Sequence, residues 1–194
     1  MTSVEVNTPN QKYTLTVRAV SMKYEFALWI QNNQSLIKKL FYSSNKKDSK
    51  DYKQFFDMMI NKMRETGFDK RLIQLVLRYM ISFGPRKTGA NLLLVLFSDI
   101  QNNLLRKHLD ESQCVKYDKM ASGIEKHNLS DINFGNTEII NDHYNGLTEV
   151  EIIKAIENGF EIALENGPLV GEPMFGNFLI FAKSLFCRWG MSPT

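Results

Sequence analysis

At 194 residues, 43% of them hydrophobic and 23% charged, the chain has the composition of one globular domain with one sizeable core, well outside the disordered range. A formal net charge of +3, from 24 basic and 21 acidic residues, permits an anionic partner such as RNA without demanding one. Two distant cysteines, Cys114 and Cys187, exclude a multi-bridge secreted framework and a paired zinc knuckle. The longest apolar run, residues 92–97, is too short to span a bilayer, and no basic stretch followed by an apolar one opens the chain. A soluble protein of the cytosol or nucleus is expected.

Residues 12–20 alternate, with Tyr13, Leu15, Val17 and Ala19 on one face, and predict a half-buried strand. Residues 24–41 carry Leu28, Trp29, Leu36, Ile37 and Leu40 at helical spacing and predict one helix, weakened in its middle by Asn32 and Asn33. The lysine-rich stretch 42–51 reads as an exposed connection. Phe55, Phe56, Met59, Ile60 and Met63 then mark one face of an amphipathic helix, with Met58, Met59 and Met63 in or beside the core. Gly67 supplies its stop, and Asp69 an N-cap for a short helix carrying Leu72, Ile73 and Val76.

Residues 79–83 read as a strand, 84–89 as a loop and 92–97 as a buried central strand. The following stretch, 98–145, is polar and weakly periodic, and predicts a long variable or partly disordered surface insertion. Thr148 with Glu151 gives a capping-box signature, and Ile152, Ile153, Ile156, Phe160, Ala163 and Leu164 form the apolar face of the helix behind it. Asn166, Gly167 and Pro168 end that helix, residues 171–176 form a loop, and 178–182 a short strand. Strands interleaved with one-faced helices imply an α+β fold, a two-layer sandwich forming a single module over 1–194.

Gly84-Pro85-Arg86-Lys87-Thr88-Gly89 has the glycine spacing of a phosphate loop, but Ala90 and Asn91 stand where Lys and Ser or Thr would grip phosphate and magnesium. A tight connection is the better account, with glycine allowing positive φ and Pro85 setting its own. Arg86 and Lys87 at its tip are candidates for phosphate contact, as are Lys46, Lys47 and Lys50 in a cluster that also holds Lys38, Lys39 and Lys53. The competing reading for both groups is solvated surface charge. His108, His127 and His143 match no metal spacing with Cys114 and no nucleophile motif, so surface positions are expected and no metal or catalytic residue is assigned. Glu161 and Glu165 fall on the polar face of the last helix; with Glu172 they lack any partner for general-acid work.

The segment from Ile81 through Gly84-Pro85 and Gly89-Ala90-Asn91 to Leu93 resembles the strand, loop and strand of domain IV in elongation factor two and its relatives. That pattern runs aromatic, Gly-Pro, variable residues, then Gly-Pro-Asn-Ile-Leu, and Ala90 replaces its second proline. Gly159 to Ala163, Glu165 to Leu169, Glu172-Pro173-Met174 and Gly176 resemble the family's next helix, loop and strand, and the opening strand is also similar. The resemblance covers about residues 8–182 outside the insertion, and Gly167 to Leu169 with Glu172 and Pro173 looks closer to the assembly GTPase of the large ribosomal subunit than to the translocase. Val170 and Gly171 depart from the usual Cys-Glu, and 186–194 match nothing in the family pattern.

The resemblance implies the elongation-factor domain IV sandwich and a non-catalytic, cytoplasmic, monomeric ribosome-docking module. The implied partners are the large subunit's RNA and proteins, the Shwachman-Bodian-Diamond protein and initiation factor six, which the pathway releases. GTP and magnesium would belong to a domain outside this chain, which is then expected to be a fragment. Domain IV of the translocase, or a small enzyme on the same sandwich, are the alternatives.

Overall fold

The computed structural model describes residues 3–7, 14–43, 48–96, 103–121, 148–167 and 171–184. In chain order these form β1 (Ser3–Asn7), β2 (Thr14–Ser21), α1 (Tyr24–Asn32), α2 (Gln34–Phe41), α3 (Ser49–Glu65), α4 (Lys70–Tyr79), β3 (Met80–Gly84), β4 (Asn91–Val95), α5 (Glu111–Ala121), α6 (Glu149–Glu165) and β5 (Asn177–Ser184). The strands make one sheet in the order β1-β2-β5-β4-β3, antiparallel except for the β4–β5 pair. Parallel neighbours need a crossover, and the chain between β4 and β5 supplies it, with α5 and then α6 lying in it.

The fold is α+β, as expected, but the helices do not lie in one layer. Side chains alternate across each strand, so Leu92 and Leu94 of β4 face one side and Leu93 and Val95 the other. On the first side Phe178 and Ile180 of β5 join Phe26 of α1, Phe56 of α3 and Val76 of α4 in the main core. On the second, Ile81, Leu93 and Val95 pack against Ile153, Ile156, Phe160 and Leu164 of α6. The continuous apolar run of β4 is therefore buried on both faces.

Several expectations change. The single helix over 24–41 is broken at Asn33, whose side chain and main-chain N–H both donate to the Trp29 carbonyl and end the first segment. The expected connection 42–51 gives way at Ser49 to α3, where Asp48 accepts from the Lys50 N–H as N-cap. Tyr79 closes α4 instead of opening β3. β2 is half-buried as expected, with Leu15 and Val17 partly covered, but its buried side chain is Thr16, opposite Ala182 on the face expected to be polar, and Ala19 is exposed. Val17 pairs with Val4 of β1, a strand that the sequence reading missed, and Val4 and Val6 lie about half exposed at the sheet edge.

The largest change concerns 98–145. Residues 103–121 of that stretch are packed: Leu104, Leu105, Leu109, Cys114 and Tyr117 are all buried in the main core. Asn103 fixes the entry by donating to the Leu77 carbonyl and accepting from the Leu105 N–H, and the Leu104 N–H donates to Met80. The Tyr117 hydroxyl donates to Asp57 of α3 at 2.9 Å. His108, expected on the surface, is half-buried with its ring stacked 4.5 Å from that of Tyr52. Residues 122–147, with His127 and His143, lie outside the described residues, as do Lys12, Tyr13 and Phe97. Among the described residues no helix is long and apolar enough to cross a membrane.

Candidate functional site

The loop from Gly84 to Gly89 connects β3 to β4 through a cis Gly84–Pro85 peptide, and the Gly89 N–H donates to the Pro85 carbonyl at 2.9 Å. Neither glycine supplies positive φ, contrary to expectation; Arg86 and Lys87 hold it instead, at 57° and 59°. The glycines are required by close approach. A Cβ on Gly89 would stand 2.3 Å from the Gly84 carbonyl oxygen, and one on Gly84 would meet the Phe160 ring at 2.4 Å. Gly167 is held the same way, since its Cβ would lie 2.5 Å from the Glu172 carbonyl that its own N–H contacts. Pro168 lies outside the described residues.

Asn91 locks this loop to the end of the chain's last connection. Its Nδ2 donates to the carbonyls of Gly84 and Met174, and its Oδ1 accepts from the Asn177 N–H at 2.9 Å. The side chain itself is fully buried, and its Oδ1 also accepts from Asn177 Nδ2 at 3.2 Å. The Gly-x-Asn segment singled out by resemblance thus has a mechanical reason for its asparagine.

Two successive left-handed residues turn their N–H groups towards one point, and Glu161 of α6 fills it. Its carboxylate accepts from Arg86 N–H at 2.5 Å and from Lys87 N–H at 3.1 Å. One turn on, Glu165 pairs with Arg86 Nε at 3.3 Å, and the Lys87 ammonium stands 5.6 Å from the Tyr42 ring centre. Burial pushes the Glu161 carboxyl above its ordinary pKa; the two N–H groups oppose that shift and nearby Glu157 adds to it. Burial, then Glu157, likewise pushes the Tyr42 phenol up. The Tyr42 hydroxyl lies close to the Phe83 main chain without a well-formed hydrogen bond.

Of the candidate contact residues, Arg86 and Lys87 come together and remain exposed, Arg86 with 80% of its side chain accessible. Lys50 is exposed in the first turn of α3, and among the described residues no hydrogen bond or ion pair joins it to the loop. Lys46 and Lys47 lie outside the described residues. The sequence reading gave Glu161 no role; its spacing from Glu157 and Glu165 on one helix face was the available signal, but its partner is 75 residues away. This arrangement offers recognition chemistry, a rigid loop presenting a guanidinium and an ammonium with their local charge partly balanced by carboxylates.

The chain is similar to elongation factor-like GTPase 1. The Mus musculus protein is 25% identical to it over 187 residues, which take in 93% of this chain and 14% of that GTPase. No protein-family model matches the chain. With so much of the chain aligned, both the Gly84–Gly89 loop and α6 fall inside the similarity to the GTPase. The chain spans only a small part of the GTPase's length, and the similarity supports a translation-factor-like domain.

Proposed function

We propose that the chain is the ribosome-docking domain of an elongation-factor-two-like GTPase acting in late cytoplasmic maturation of the large ribosomal subunit. The similarity to elongation factor-like GTPase 1 across 93% of the chain carries this reading. The chain has no Gly-x-x-x-x-Gly-Lys-[Ser/Thr] segment, so GTP and magnesium would be held elsewhere in a longer protein. Its own part is to contact ribosomal RNA and protein, in a pathway that engages the Shwachman-Bodian-Diamond protein and frees initiation factor six.

Arg86 is the first residue to test. Its ion pair with Glu165 is solvent-exposed, a type worth roughly 0–1 kcal/mol, so a phosphate can compete for the guanidinium. Replacing Arg86 and Lys87 by alanine is expected to weaken binding to the large subunit and to flatten its salt dependence, with the melting temperature nearly unchanged. A Gly89→Val variant, by contrast, should lose stability. Unchanged affinity and salt slope in the alanine variant would remove the loop from the docking surface.

A further inference from the structure

The end of α3, the start of α4 and the end of α5 converge on a groove of about 410 Å³, separate from the Gly84–Gly89 loop. Phe68, Ile73 and Met120 give it apolar walls, and Arg64, Lys70 and Lys119 line it with positive charge. Gln74, itself buried, ties the walls together by donating from Nε2 to the Met120 carbonyl at 2.9 Å. Lys23 adds a further cation beside it, bonded to the Gly67 carbonyl and 5.8 Å from the Phe68 ring centre. None of the lining residues is acidic.

Helix electrostatics explain only part of this charge. Arg64 and Lys119 occupy the last turns of α3 and α5, where cations complement the free carbonyls. Lys70 is the first residue of α4, whose opening turn has no acidic residue and whose N-cap, Asp69, makes no side-chain cap bond. A cation there opposes the helix dipole, and an anionic ligand in the groove would offset both.

We propose that this groove docks an acidic peptide segment that seats a leucine or phenylalanine against Phe68, Ile73 and Met120 and sets flanking carboxylates against Arg64, Lys70 and Lys119. Charge complementarity identifies the anionic character, and the apolar walls select peptide over nucleic acid. A phosphate backbone leaves those walls unfilled, and base stacking needs an open aromatic face. Phe68 is partly buried and lines the groove, but its faces are taken: the Lys23 ammonium stands 5.8 Å over the ring, which also packs T-shaped with Phe26 at 5.2 Å and Phe178 at 5.7 Å. Met120 is a flexible, polarisable wall suited to an inserted apolar side chain. The proposal does not rest on ribosome docking.

The test uses the full chain with a panel of fluorescent peptides carrying leucine or phenylalanine between glutamate runs, and a single-stranded RNA oligonucleotide as the second arm. Anisotropy should show saturable, salt-sensitive peptide binding, and methyl NMR should show shifts at Ile73 and Met120. Arg64→Glu with Lys70→Glu should lower peptide affinity by about tenfold or more, and the corresponding alanine pair by less. Arg64 and Lys70 are both exposed, and retention of the wild-type melting temperature checks the fold. Peptide binding indifferent to the charge reversals, RNA binding lost in those variants while no peptide binds, or no binding by any probe would each overturn the proposal.

Discussion

Arg86 and Lys87 occupy the left-handed region, which costs an L-residue on the order of 1–2 kcal/mol, and Glu161 holds them there through their N–H groups. Lys87→Gly should therefore be neutral or stabilising by about 1 kcal/mol, relief of strain outweighing the added freedom of the unfolded chain. Gly89→Ala should cost on the order of 3 kcal/mol, because its Cβ meets main-chain atoms that cannot rotate away. Denaturant titration of the two variants separates these outcomes, and a larger loss from Lys87→Gly than from Gly89→Ala would contradict the account.

His108 gives the chain an acid-sensitive point. Burial, aided by the Lys107 charge, lowers its pKa below the ordinary 6.5. The unfolded chain then takes up the proton more readily, so the stability of the neutral ring is present above the ordinary value and is lost as pH falls through the lowered one. His108→Phe, which keeps a ring against Tyr52 and Phe41, should flatten that limb of the stability curve in urea titrations. An unaltered limb would show that other groups control it.

At the scale of elements, α6 shows how a local signal survives folding. Thr148 Oγ1 accepts from the Glu151 N–H, and the Glu151 carboxylate accepts from the Thr148 N–H at 2.7 Å, which is the reciprocal box read from the sequence. Thr148→Ala should lower stability by about 1 kcal/mol, measured as a shift in the denaturation midpoint at constant slope. The helix α5 is the opposite case. Its Cys114 and Tyr117 are buried among residues of α3 and α4, but Val115 on the same helix is exposed, so its apolar periodicity is weak. What makes it a core element is the groove that α3 and α4 present, together with the Tyr117–Asp57 hydrogen bond across 60 residues of sequence.

For the molecule as a whole, the sheet is shared between two cores, and β4 serves both. Leu93→Ala, on the α6 side, and Leu94→Ala, on the other, should each cost about 2–5 kcal/mol, because both side chains are fully buried. Both variants should still unfold in one transition by near- and far-ultraviolet dichroism, since neither core is separable from the strand. Two resolved transitions would mean that α6 comes away independently.

Local residue patterns suffice for the α+β class, the amphipathic face of α3, the buried run of β4, the stop at Gly67 and the cap of α6. Each of these depends on residues within a few positions of one another, where side-chain period and capping chemistry act locally. Long-range packing is what puts helices on both sheet faces, turns Thr16 inward, buries side chains of 103–121 and seats the Arg86–Lys87 turn on Glu161. Those outcomes depend on which strands pair and which distant side chains meet. A carboxylate on a polar helix face looks the same in sequence whether it meets water or two converging N–H groups, because only the packing of α6 against β3 and β4 brings the donors to it.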